Sequence, residues 1–266
     1  MKKAVQNLAG LNVACLVRGL RLGPSEAWAA ARACFAAAHP LEERIELERK
    51  KLRQFLEDSI PGLPLENILA GRKAAITLDF VKYEDGMLPF QDLLALASIL
   101  AVEAPASALE IGTFMGYTTK AMATNLANAT IHTIDLPLNY SEKMETASAI
   151  PKDDFHLIKR RVVGQEFAGQ DFPCRIVQHF GDTATFDFQN FGKTDFFFID
   201  GSHTYEYCRQ DSEKCFALCR GRGVFLWHDC DESHPGVVRF VREWRELGRD
   251  IVRIEGTALA YWKGIP

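Results

Sequence analysis

The sequence predicts a doubly wound, mostly parallel α/β sheet of seven strands, preceded by a helical extension. Three observations carry that expectation. From Leu93 onward, short apolar runs alternate with helical segments, the pattern of strands joined by crossover helices. Two of the runs, Asp195–Asp200 (D-F-F-F-I-D) and Gly223–His228 (G-V-F-L-W-H), are apolar throughout their interiors, as parallel strands buried on both faces are. Polar and acidic residues recur where each strand ends, and open α/β sheets bind ligands at that edge.

The elements follow in order. Strands are expected near 108–112, 130–136, 175–180, 194–200, 223–228, 251–255 and 258–262. A helix over Leu93–Glu103 precedes the first, and Tyr117–Asn128 forms the next. Cys208, Cys215 and Cys219 fall on one helical face and read as small apolar residues turned toward the sheet. His234-Pro235-Gly236 opens a helix over Val237–Leu247, because proline suits a first turn. His132 and His179 lie within strands and read as core or edge residues.

Residues 1 to about 90 show helical periodicity and no strand pattern. Leu8–Val17 reads as a short buried or interfacial helix, Ser25–Ala38 as a second, and Leu41–Asp58 as a third with an apolar stripe. The expected division is a helical extension over 1–74, acting as a lid or an oligomerisation arm, and a ligand-binding domain over 75–266. A homodimer through the N-terminal helices is one consequence. The long connection Leu138–Pro173 carries Tyr140, Phe155 and Phe167 as candidate pocket walls. Its Lys159-Arg160-Arg161 cluster reads either as a solvated helix face or as a contact for an acidic substrate group.

Composition bounds the function. A net charge of -4 argues against general electrostatic binding of nucleic acid. No apolar run reaches the roughly 20 residues of a membrane span. Seven cysteines, with no C-x-x-C pair and no disulfide-like pattern, suit a reducing compartment, so a cytoplasmic location is expected.

The segment Ala108–Pro137 concentrates the chemistry. Glu110, Gly112 and Gly116 form E-x-G-x-x-x-G between a strand and a helix, and Asp135 follows Glu110 by 25 residues. Such a unit can hold an adenosyl group: the glycines admit it to the backbone and the acid accepts from a ribose diol. The remaining strand ends carry Gly181-Asp182-Thr183, Asp200-Gly201-Ser202-His203 and His228-Asp229-Cys230-Asp231.

With D-G-S-H-x-Y-E at Asp200–Glu206 and W-H-D at Trp227–Asp229, residues 75–266 resemble class I S-adenosylmethionine (SAM)-dependent methyltransferases, in particular the small-molecule O-methyltransferase group. The resemblance implies a Rossmann-like sheet, SAM as cofactor and a small-molecule acceptor. It implies cofactor contacts from Glu110, Gly112, Thr113, Gly116, Tyr117 and Thr118 at the glycine turn. Asp135 and Leu136 would meet the ribose, Asp182 and Thr183 the adenine, and Asp200 the methionyl end near the transferred methyl.

His203 is the candidate general base, since an ordinary histidine titrates near neutrality; its alternative role is to cap the following helix. Some related O-methyltransferases hold a divalent ion at the positions of Asp200, His228 and Asp229, and magnesium or manganese would be the ion here. A histidine in that set tilts it away from magnesium; without an ion, Asp229 and His228 form a polar pair that orients the substrate. Two rival readings follow from the same residues. A nucleotide-dependent oxidoreductase would normally carry G-x-G-x-x-G, which this turn lacks. A methyltransferase-like scaffold that binds partners without turnover would not need the strand-end acids.

Overall fold

The computed structural model describes residues 41–78, 86–137 and 161–264. The expected helices at 8–17 and 25–38, and Tyr140, Phe155, Lys159 and Arg160, lie outside the described residues. The chain forms two compact units, 1–54 and 55–266. Residues 55–74 therefore group with the second unit, and the division falls earlier than the expected 74/75 boundary. Among the described residues, no helix is long and apolar enough to cross a membrane.

Six α-helices are described: α1 Leu41–Ser59, α2 Leu65–Leu69, α3 Phe90–Glu103, α4 Tyr117–Asn125, α5 Tyr205–Cys219 and α6 Pro235–Glu246. Eight strands accompany them: β1 Gly62–Leu63, β2 Ser107–Ile111, β3 Thr130–Asp135, β4 Arg175–Phe180, β5 Phe196–Ile199, β6 Val224–Trp227, β7 Val252–Ile254 and β8 Ala260–Lys263. α3 starts three residues before the expected Leu93, directly after Pro89. α4 stops at Asn125, short of the expected Asn128, which takes a left-handed backbone conformation at φ 58°.

The strands form one sheet in the order β1-β7-β8-β6-β5-β2-β3-β4. All pairings are parallel except those of β8, which runs antiparallel to both β6 and β7. The eighth strand, β1, lies in the region read as purely helical. It pairs Gly62 with Arg253 and Leu63 with Ile254, and two residues are too few to show a periodicity.

Side chains alternate across the sheet and sort the core into two layers. Phe197, Ile199, Phe225 and Trp227 face α5 and α6, where Cys208, Cys215, Phe240 and Trp244 pack against them. The cysteine face expected from the sequence is thus an apolar face. Phe196, Phe198, Val224 and Leu226 point the other way, onto Leu93, Leu96 and Leu100 of α3 and Met122 and Ala123 of α4. Leu56 and Ile60, from the end of α1 and just beyond it, join the first layer.

From β2 the chain winds outward through β3 to β4, then returns to lay β5 on the other side of β2. This reversal opens a crevice beyond the carboxyl ends of β2 and β5, the position where such sheets take ligands.

Candidate active site

The crevice is built by Gly112. A Cβ there would lie 2.0 Å from the Asp200 carbonyl oxygen, and φ is +98°, so glycine alone lets the ends of β2 and β5 come together. Gly116 does a different task. Its missing side chain admits the Phe167 ring, whose Cδ1 would be 2.7 Å from a Cβ at that position. Phe167 therefore packs on the glycine turn rather than walling the cavity, contrary to expectation.

A cavity of about 450 Å³ occupies the crevice. Of the expected cofactor residues, Gly112, Asp135, Leu136, Asp182, Thr183 and Asp200 line it. Glu110, Thr113, Gly116, Tyr117 and Thr118 do not. His203, His228, Asp229 and His234 line it too, as do Met87, Leu88 and Pro89.

Glu110 is wholly buried behind the turn. Thr119 donates a short hydrogen bond to its Oε2, and Thr133, its neighbour across the β2–β3 ladder, donates at 2.6 Å. Thr113 lies 2.6 Å from Thr133, and Gln178 Nε2 donates to Thr113 at 3.1 Å, which extends the chain to β4. Glu110 thus fixes the turn and the two strands beside it. Burial pushes its carboxyl up to about 8, against the two threonine bonds and with help from Asp200 and Asp135. Oε1 is buried and has no hydrogen-bond partner among the described residues.

Because the folded pKa of Glu110 lies above the ordinary value of 4.5, the contribution is complete below pH 4.5 and is lost as pH rises to about 8. At roughly 1.4 kcal/mol per pKa unit the loss reaches a few kcal/mol. Glu110→Gln removes the titration, so the variant should gain stability relative to the wild type across that interval. Urea unfolding at several pH values measures the difference; a gap that stays constant would show that Glu110 is ionised throughout.

Asp135 ends β3 with its carboxylate already engaged. Oδ2 accepts from Phe114 N at 2.7 Å, and Oδ1 accepts from Leu136 N at 2.6 Å and from Arg161. Arg161 is buried, with a side chain only 5% exposed, so it is neither a solvated residue nor directed to bulk solvent. Burial raises the Asp135 carboxyl, and the Arg161 guanidinium opposes this. Asp182 Oδ1 accepts from Ala184 N at 2.9 Å and from the Tyr207 hydroxyl at 3.2 Å. Tyr207 and Asp211 also line the cavity, and neither was singled out in the sequence. Burial pushes the Asp211 carboxyl up to about 7.

The loops after β5 and β6 and the start of α6 bring three histidines together. His203 Nδ1 lies 2.6 Å from Asp229 Oδ2. Its ring stacks on His234, with centroids 4.7 Å apart at 30°. His234 Nδ1 sits 3.0 Å from Asp231 Oδ1 and 3.4 Å from Asp229 Oδ1. Asp229 takes a left-handed backbone conformation, φ 59°, unusual for a residue other than glycine and a form of strain that occurs at functional sites. The helix-cap alternative for His203 does not hold: Thr204 is the N-cap of α5 and accepts from Tyr207 N at 3.4 Å. The Tyr205 of the motif is turned elsewhere, donating to Glu243 at 2.6 Å beneath the Arg239 guanidinium.

His228 lies between carboxylates. Nδ1 is 3.0 Å from Asp200 Oδ1 and 3.2 Å from Asp229 Oδ1, and Nε2 is 3.2 Å from Asp92 Oδ2. Burial works against a charged ring, but Asp200 and the contacts to Asp229 and Asp92 outweigh it and lift His228 well above its ordinary value. Asp229 is held far below the usual carboxylate range despite burial, by hydrogen bonds from His203 and His228. His132 and His179 form a separate pair on β3 and β4, Nδ1 to Nε2 at 3.0 Å, and burial lowers both.

Residues 109–230 match the family model of a methyltransferase domain. The match spans every strand end from Gly112 to Asp229. Similar solved structures include the O-methyltransferase TomG from Streptomyces achromogenes in complex with SAM, at 17% identity, covering 70% of this chain and 92% of that one with a TM-score of 0.44. An O-methyltransferase from Bacillus cereus in complex with S-adenosylhomocysteine (SAH) is 17% identical, with coverage of 81% and 97% and a TM-score of 0.43. The O-methyltransferase NovP is 15% identical, with coverage of 85% and 99% and a TM-score of 0.48. No curated protein matches the chain in sequence.

Proposed function

We propose that this protein transfers a methyl group from SAM to a hydroxyl of a small molecule. One observation carries the reading: the cofactor-side residues Gly112, Asp135, Asp182 and Asp200 and the His203–Asp229 pair open into one cavity within the segment that matches a methyltransferase domain. Methyl transfer from a sulfonium is an in-line displacement that demands alignment and a nucleophile relieved of its proton.

In this reading Asp135 receives the ribose diol. The carboxylate is satisfied by Phe114 N, Leu136 N and Arg161, so the diol shares Oδ1 with Arg161 or takes its place. Asp182 and Thr183, which line the same cavity, would take the adenine, and Asp200, which also lines it, would meet the reacting end. His203 takes the acceptor's proton at Nε2 while the oxygen attacks the methyl carbon and the carbon–sulfur bond breaks. Asp229, fixed on Nδ1, orients the ring and stabilises the imidazolium that forms. The products are the methyl ether, SAH and a proton on His203.

The trio Asp200, His228 and Asp229 fits a divalent ion. Its ligand atoms converge within 4.8 Å, and the nitrogen donor favours manganese or another transition ion over magnesium. A bound ion would supply a positive charge that polarises the acceptor's oxygen. The proton on His228 Nδ1 and such an ion are alternatives, because one lone pair serves both.

The test is SAH release from SAM across a panel of hydroxyl-bearing molecules, with amines and thiols as comparison. Transfer confined to amines would replace the O-methylation reading, and SAH binding without turnover on any acceptor would favour the scaffold reading.

A further inference from the structure

Asp92 lies in the first turn of α3, outside every motif, in a position where an acid usually faces solvent and complements the helix dipole. Here it is 2% exposed. Its Oδ2 accepts from Ala258 N at 3.0 Å, and the same oxygen lies 3.2 Å from His228 Nε2. That nitrogen is buried and has no well-aligned hydrogen-bond partner among the described residues, so Asp92 is the acceptor it faces. On the opposite side of the ring, Nδ1 faces Asp200 and Asp229 at 3.0 and 3.2 Å.

We propose that Asp92 is a positioning residue: it holds the proton of His228 on Nε2, so that Nδ1 is presented with Asp200 and Asp229 to a divalent transition ion. The physical reason is the tautomer. A neutral imidazole has one N–H and one lone pair, and a carboxylate beside one nitrogen draws the N–H there. Ligating histidines are held in this way by an outer carboxylate, which also strengthens the donor. Glu103, the other charged residue of α3, pairs with Arg72 and Lys263, so Asp92 is the acid that ties this helix to the reacting edge. The Ala258 contact fixes the carboxylate independently of the histidine.

The inference rests on the proposed ion site, and its test separates it from the methyltransferase reading. The full chain, stripped of metal, is titrated with Mn²⁺ and followed by electron paramagnetic resonance; SAH binding is measured in parallel. Asp92→Ala removes the single oxygen that Ala258 N and His228 Nε2 share, so no carboxylate holds the N–H at Nε2. Mn²⁺ affinity should fall roughly 10–100-fold in the variant, with SAH affinity unchanged. Equal Mn²⁺ affinity in both proteins, or no Mn²⁺ binding by the wild type that still binds SAH, overturns the inference and leaves the methyltransferase reading standing.

A second measurement covers a variant that does not fold. In wild type loaded with Zn²⁺ and labelled with ¹⁵N-histidine, nuclear magnetic resonance should show the His228 N–H at Nε2. An N–H at Nδ1 would overturn the proposal.

Discussion

His203→Ala should slow methyl transfer roughly 10²–10⁴-fold, the usual worth of a positioned acid–base group, while SAH binds as before. The split between turnover and binding matters because His203 is held by Asp229 and His234, whereas Asp135 and Asp182 are held by other partners. The pH–rate profile adds a second reading. A base must be unprotonated to act, so the wild-type rate falls as pH falls, and that acidic limb should vanish in the variant. Asp229 keeps His228 and His234 nearby, so the substitution does not strand a buried carboxylate. An unchanged rate with a saturating acceptor would remove His203 from the chemistry and leave positioning as the whole source of rate.

Gly112→Ala is the substitution expected to cost the fold most. The new Cβ would lie 2.0 Å from the Asp200 oxygen and 2.7 Å from its carbonyl carbon, both backbone atoms that cannot swing aside. Relief requires β2 and β5 to part at the centre of the sheet, where Ile111 pairs with Ile199. A loss above roughly 4 kcal/mol, or failure to fold, is the expected result. Gly256→Ala is the control: φ is +77°, but nothing lies within 4 Å of the added carbon. It should cost only the left-handed penalty of roughly 1–2 kcal/mol. Thermal unfolding of the two variants separates clash from backbone preference; equal losses would mean that the close approach of the two strands relaxes freely.

Much of this arrangement is legible in the chain because strands declare themselves by local composition. Phe196–Ile199 and Val224–Trp227 are apolar runs, and the residues that follow them must emerge at the sheet edge, so Asp200, His203, His228 and Asp229 were found from order alone. What escaped depends on contacts distant in sequence. Gly116 belongs to a recognisable glycine pattern, yet the atom it makes room for is in Phe167, 51 residues on. Arg161 reads as one of a basic cluster, and only the return of the chain to the end of β3 buries it on Asp135. Asp92 resembles an ordinary helix-start acid until β6 brings His228 to it. β1 is too short to have a pattern, and its partner β7 lies far along the chain. The sequence motifs thus marked the strand ends, while the residues that hold those ends in register came from tertiary packing.

The cavity's identity as a SAM site is tested most directly by calorimetric titration of the full chain with SAH, wild type against Asp135→Asn. Binding in the micromolar range is expected. Hydrogen bonds to a charged acceptor contribute roughly 1.5–3 kcal/mol, so the amide, which keeps the size of the side chain but loses its charge, should weaken binding about 10–100-fold. No heat of binding to the wild type, or equal affinity in both proteins, would contradict the placement of the cofactor's ribose at the end of β3.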